Sequence, residues 1–248
     1  MTSDTFWQEF EAEPHAPATP LGAPVWSDRY AATMPDGRGL RLPLRDLGDV
    51  AVAGFIANQA SFAVLDQIAA WMAERARPFA PEVVVGLPTL GHVVGQAVAR
   101  ALGHCTWVAP GTTRKLWYDM ALSVPTHSVT APLPGRRMWL DPGLVGRLRG
   151  KRVLLVDDVI STGVSADAGL TLMHAAGVTP VALCVAMIQG DRWRAIWDPA
   201  VPLVGAFATP LFRRAGGGWA PMHGTAPDAL CATPPLAPGM AALIHPGT

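Results

Sequence analysis

Residues 153 to 165 read Val-Leu-Leu-Val-Asp-Asp-Val-Ile-Ser-Thr-Gly-Val-Ser, and no other segment of the chain constrains its fold as strongly. Four consecutive apolar residues without polar alternation predict a strand covered on both faces, as inside a parallel sheet. Two adjacent carboxylates, Asp157 and Asp158, follow at its C-terminal end, the edge where open α/β sheets take their ligands. A short run of small hydroxyl residues and glycine then leads into a helix start. Backbone N–H groups there, with the hydroxyls of Ser161, Thr162 and Ser165, suit a phosphate. Carboxylates repel phosphate, so the acidic pair suits hydroxyl groups beside it, or a metal. Phosphate on one side and hydroxyls on the other describe a sugar phosphate. A plain N-capped helix would also use Asp, Ser and Thr. That reading explains a lone Asp-Asp or Thr-Gly, but not the whole pattern at a strand end.

The flanking sequence repeats the same alternation. Glu82 to Gly86 (EVVVG) predicts a strand, Leu87 to His92 a turn, and His92 to Gly103 a helix closed by glycine. Cys105 to Ala109, Arg152 to Asp158, Thr179 to Ile188 and Val201 to Phe207 predict further strands, with a helix from Val164 to Gly177. Strand, glycine turn, helix and strand in succession indicate βαβ units and a mostly parallel central sheet flanked by helices. Upstream, Val52 to Arg77 has apolar residues near helical spacing and predicts one long amphipathic helix ended by Pro78, and Arg38 to Asp46 a short strand. The segment from Thr112 to Lys151 is a long insertion of polar, basic and aromatic residues. Within it His127 to Pro132 and Arg136 to Leu140 predict two antiparallel strands at the sheet edge. These features divide the chain into a loosely attached Pro- and Ala-rich arm (1–25), a core (26–210) and an irregular C-terminal tail (211–248).

Composition narrows the function classes. Lys plus Arg equals Asp plus Glu, 19 of each, which argues against a general nucleic-acid binder but not against a small anionic ligand. The three cysteines, Cys105, Cys184 and Cys231, are scattered without a CxxC pair, so neither a zinc site nor a disulfide framework is indicated. No stretch reaches the roughly 18 uninterrupted apolar residues of a membrane span, and the acidic N-terminus lacks a signal-peptide core. The expectation is a soluble, cytoplasmic protein that engages neither nucleic acid nor membrane.

The Val153–Ser165 segment closely resembles the signature of the type I phosphoribosyltransferases. The order of its neighbours is similar to the adenine and xanthine branch of that family. The resemblance implies the family's α/β fold, with a small hood and a flexible lid loop, and a homodimer. It implies transfer of the phosphoribosyl group of 5-phosphoribosyl-1-pyrophosphate (PRPP) to a nucleobase, a purine before a pyrimidine, with release of pyrophosphate, as in nucleotide salvage. By the same resemblance Asp157 and Asp158 contact the ribose hydroxyls, and Val159, Ile160, Ser161, Thr162, Gly163, Val164 and Ser165 hold the 5′-phosphate. Pro88, Thr89, Leu90, Gly91 and His92 form the pyrophosphate loop, and Arg114 and Lys115 are a basic pair that contacts pyrophosphate. The lid runs from Trp117 to Arg137 and includes His127. Magnesium is expected as cofactor, held mainly through substrate, with Asp157 the protein carboxylate available to it. Trp193 and Trp197, near the strand end at Met187 to Trp193, are options for stacking the base. Two other classes share the signature. One is a non-catalytic regulator that senses PRPP or a nucleotide. The other is an enzyme that makes PRPP, which requires an ATP site and duplicated halves that the sequence does not show.

Overall fold

The computed structural model describes residues 6–14, 24–126 and 136–227. Strands β1 (Phe10–Glu11), β2 (Arg29–Thr33), β3 (Gly39–Asp46) and β4 (Val50–Ala53) precede helix α1 (Phe62–Ala76). Strand β5 (Val83–Gly86), helix α2 (Gly91–Ala101) and the short pair β6 (Ser123–Pro125) and β7 (Arg137–Trp139) follow. Then come β8 (Val153–Ile160), α3 (Val164–Ala175), β9 (Ala182–Gln189) and β10 (Leu203–Thr209), and finally the hairpin β11 (Leu211–Ala215) and β12 (Gly218–Pro221).

Four strands form the parallel sheet in the order β10-β9-β8-β5. Their unbroken apolar runs are explained by cover on both faces: all eight residues of β9 and the first five of β8 are buried. Alternate side chains feed two cores, because successive residues of a strand point to opposite faces. Leu154, Val156, Cys184 and Ala186 join α1 and α2 on one side. Val153, Leu155, Leu183 and Val185 join α3 on the other. The α/β class with a largely parallel, helix-flanked sheet is therefore as expected.

A second, antiparallel sheet in the order β1-β3-β4-β11-β12, with β2 paired to β3, stands at the carboxyl end of the first. Two links fix it there. Strand β11 begins two residues after β10 ends, and the buried Gln189 at the end of β9 donates its amide to the Ala53 carbonyl at 2.8 Å. The hood of this fold is thus built from both flanks of the chain.

Four expectations are corrected. The helix does not begin at Val52: residues 50–53 are a strand, paired with β3 and β11, and α1 starts after Ser61, whose Oγ accepts from Val64 N. An apolar run this short fits either period, and the two waiting strand partners decided it. Phe62, one of the apolar residues near helical spacing in that run, is 84% exposed at the first helical position. The tail is not irregular from residue 211, since residues 211–221 complete the antiparallel sheet. Nor are residues 6–14 loosely attached: Trp7 is buried, its Nε1 donates to Gly54 O at 3.0 Å, and Phe10 pairs with Leu40.

Smaller adjustments concern the edge. Of Cys105–Ala109 only Val108 bridges to the sheet, at Val85. Strand β7 falls within Arg136–Leu140 as expected, but its partner is Ser123–Pro125; His127–Pro132 lies outside the described residues. Cys105 and Cys184 are unpaired thiols, and Cys231 is outside the described residues. Among the described residues no helix is long and apolar enough to cross a membrane.

The hairpin's structural weight is open to measurement. Phe212 is fully buried against Tyr30, ring centroids 5.0 Å apart. Phe212→Ala is expected to cost about 3–5 kcal/mol in a denaturant titration, where a residue in an irregular tail would cost close to nothing.

Candidate active site

Everything singled out around the acidic pair converges on the carboxyl edge of β8 and β5. Asp157 is 6% exposed, and its Oδ1 accepts from the backbone N–H of Asp158 at 2.9 Å. The reason for this burial is helix α2, which starts directly over the end of β8. A Cβ on Gly91 would lie 2.7 Å from Asp157 Oδ1 and 2.9 Å from Val156 O. A Cβ on Gly86 would lie 2.6 Å from Gly91 O, and one on Gly95 2.9 Å from Gly86 Cα. Three glycines therefore let α2 sit against the two strands, and the Leu87 N–H closes the junction on Val156 O at 2.8 Å. The loop after β5 and the loop after β8 become one site through this contact.

Both helices that open here, α2 and α3, start without a side-chain cap. Their first-turn N–H groups, with the positive end of each helix dipole, face the same edge as the carboxylates. Gly163, at the start of α3, has φ +87°, a left-handed conformation that glycine adopts without strain. The Pro88–Thr89 peptide in the first loop is cis. His92, expected in that loop, is the second residue of α2, and its ring turns to Pro110, with Nε2 2.8 Å from the carbonyl and the ring edge against Trp107. A carbonyl only accepts, so Nε2 carries the proton. Burial lowers the pKa of this imidazole and favours its neutral form.

The electrostatics of the pair follow from burial. Desolvation, then the neighbouring charge of Asp158, pushes the Asp157 carboxyl well above the usual carboxylate range. Desolvation pushes Asp158 up to about 6. Near neutrality the two together carry less than two full negative charges. The site offers proton-holding oxygens at one end and donor amides at the other, which suits a ligand with hydroxyls and an anion a few ångströms apart.

The remaining expected residues lie elsewhere. No hydrogen bond or ion pair joins Arg114 or Lys115 to Asp157 or Asp158. With Leu116 and Trp117 they line a hollow of about 400 Å³. The Arg114 guanidinium rests over the Trp139 ring at 5.4 Å, a ring that also carries Arg137 and stacks on Tyr118. Trp117 donates to Asp141 Oδ2 at 3.0 Å. The two tryptophans considered for stacking a base do not face the site. Trp193 and Trp197 are buried in the core on the α3 side, their N–H groups spent on Gly190 O and Val201 O. Sequence reasoning missed Arg192, which donates to Ser161 Oγ at 3.0 Å. The signal was a basic residue at the end of a buried strand, within a segment read for its tryptophans.

The fold is a parallel α/β sheet with an acidic pair and two uncapped helix starts at one edge, and the comparisons give its family. Residues 55–203 match the model of the phosphoribosyl transferase domain. The chain belongs to the type I phosphoribosyltransferase family. It is similar to the adenine phosphoribosyltransferase of Streptomyces coelicolor, 29% identical over 178 residues, covering 64% of this chain and 86% of that protein. It is 48% identical over 49 residues to the orotate phosphoribosyltransferase of Nitrosomonas europaea, covering 20% of this chain and 22% of that protein. With the hypoxanthine/guanine phosphoribosyltransferase of Methanosphaerula palustris it shares 30% identity over 102 residues, 41% of this chain and 53% of that protein. The chain thus spans about a fifth and about half of the last two relatives. The adenine phosphoribosyltransferase of Saccharomyces cerevisiae superposes with a TM-score of 0.51 at 18% identity, over 66% of this chain and 94% of that one, a likeness of fold.

Two predictions follow from the buried pair. The folded-state pKa of Asp158 lies above its ordinary value of 3.8. This carboxyl therefore favours the fold fully below about pH 4, and the contribution is lost as pH rises through about 6. Asp158→Asn is expected to leave stability nearly unchanged at pH 4 and to raise it by roughly 1–3 kcal/mol at pH 7.5, read by urea titration at both pH values. Gly91→Ala forces α2 off the strands and is expected to cost about 1–3 kcal/mol in the same titration.

Proposed function

We propose that the protein is an enzyme that transfers the phosphoribosyl group of PRPP to a purine base and releases pyrophosphate. The observation that carries this reading is the juxtaposition of the Asp157–Asp158 pair with two helix N-termini at one sheet edge. The purine preference rests on the relatives named for adenine and for hypoxanthine/guanine.

In this reading the segment Val159–Ser165 receives the 5′-phosphate on the α3 amides and on the hydroxyls of Ser161, Thr162 and Ser165. Asp157 and Asp158 accept from the ribose hydroxyls. The loop Pro88–His92 receives the pyrophosphate through its backbone, with the His92 ring held aside on Pro110. Arg114 and Lys115 add positive charge to the pyrophosphate, which requires Arg114 to leave the Trp139 ring. The C1–O bond to pyrophosphate breaks with its electron pair going to the leaving group, and a ring nitrogen of the base forms the new C1–N bond. The oxocarbenium-like state between them gains from the carboxylates beside the ribose. Asp158, with a pKa near 6, is suited to accept the proton that the base nitrogen gives up.

The donor set fits magnesium. Two adjacent carboxylates are hard oxygen ligands, and a cation beside them would reverse the pKa elevation that their burial imposes. Asp157, alone or with Asp158, would hold it, and the ion would supply positive charge against the charge that develops on the pyrophosphate leaving group. A cytoplasmic homodimer is the assembly and setting this reading carries.

The test is an endpoint reaction with PRPP, magnesium and a pool of purine and pyrimidine bases, read by mass spectrometry for new nucleoside monophosphates. One purine product is expected, and Asp157→Asn with Asp158→Asn should remove PRPP binding and reduce the rate by about 100-fold or more while the fold persists. No product, with tight PRPP binding retained, would replace the transferase by a PRPP-sensing regulator. Unchanged magnesium-dependent PRPP binding in the double variant would overturn the ribose assignment.

A further inference from the structure

The turn after β9 is built against the phosphate loop. A Cβ on Gly163 would meet the Cα and carbonyl oxygen of Trp193 at 3.3 Å, so the two segments touch backbone to backbone. The turn is rigid. Trp193 is 3% exposed and bonded to Gly190 O, and Trp197 N closes on Trp193 O at 2.9 Å. Gly190, at φ +67°, packs so closely on Leu211 that a Cβ would lie 2.8 Å from that side chain. Arg192 projects from this base, and its Nη2 donates to Ser161 Oγ at 3.0 Å. Its Nε is buried and has no hydrogen-bond partner. A buried N–H of a cation left unpaired is costly and calls for an acceptor.

The loop supplies the rest of the argument. Its donors are neutral amides and hydroxyls, and Asp157, Asp158 and, in the first turn of α3, Asp167 lie close in the chain. A phosphate monoester dianion brings further negative charge to that neighbourhood. Arg192 is a cation already hydrogen-bonded to the loop, on a rigid support, with an N–H in need of an acceptor. Ser161 Oγ accepts from it, which leaves the serine hydrogen free to be donated onward.

We propose that Arg192 is a direct ligand of the ribose 5′-phosphate, adding a cation to the α3 amides and orienting the Ser161 hydroxyl toward it. The guanidinium presents Nε–H and an Nη–H in a fork that matches two phosphate oxygens. This assignment rests on the reading of residues 159–165 as the 5′-phosphate loop and adds a charged ligand to it from a separate turn.

The experiment is calorimetric titration of the full chain with ribose 5-phosphate and, as control, inorganic pyrophosphate. Arg192→Met is expected to weaken ribose 5-phosphate by about 10- to 100-fold, the loss of a charge-assisted hydrogen bond, and to leave pyrophosphate within about twofold. Arg192→Lys keeps the charge and loses the fork, so a smaller loss of about three- to tenfold is expected, again for ribose 5-phosphate alone. Should the methionine variant not fold, the lysine variant decides by the same comparison. Wild-type affinity for ribose 5-phosphate in these variants, or an equal loss for both ligands, would overturn the role of Arg192 and leave the proposed function standing. A wild-type protein that binds neither ribose 5-phosphate nor PRPP would overturn both.

Discussion

The approach of α2 to the ends of β5 and β8 sets the geometry on which the site depends. Side chains at residues 86, 91 and 95 would hold the helix off, and the glycines there remove that obstacle. Once α2 is seated, Asp157 is enclosed, its carboxyl pKa rises, and the loop after β5 lies beside the loop after β8. Burial, proton affinity and the pairing of two uncapped helix starts are consequences of one packing contact.

That contact has an energetic cost. Two carboxyls in low dielectric oppose the fold at neutral pH, and the helix starts beside them go without the side-chain caps that would stabilise them. The offset lies in the parallel sheet, whose strands are buried on both faces and shared between two apolar cores. A rigid interior holding an unfavourable polar edge is the arrangement expected of a binding site, where stability yields locally to ligand complementarity. The hood extends the same logic: its strands come from both flanks of the chain and share one core with α1 and α2.

Much of this was legible in the residues. The parallel strands declare themselves through unalternating apolar runs, and the acidic pair and Thr-Gly turn through their place at a strand end. The hood was not legible. Val50–Ala53 and Leu211–Ala215 each pair with a neighbouring strand, β3 and β12, and join one sheet by pairing with each other across about 160 residues of chain, a partner that neither segment carries in its own pattern. Trp193 and Trp197 illustrate the opposite error, since an aromatic near a strand end has no stated direction until the turn that carries it is folded. Arg192 was hidden for the same reason.

By itself the sequence determined the α/β class, the family, and the segments that end on the carboxyl edge, because these depend on local periodicity and on residues adjacent in the chain. Only the tertiary structure decided that Gly91 rests on Asp157, that the chain's two flanks close one hood, and that Arg192 reaches Ser161. Each of those is a contact between segments far apart in the chain, settled by which surfaces fit once the sheet has formed.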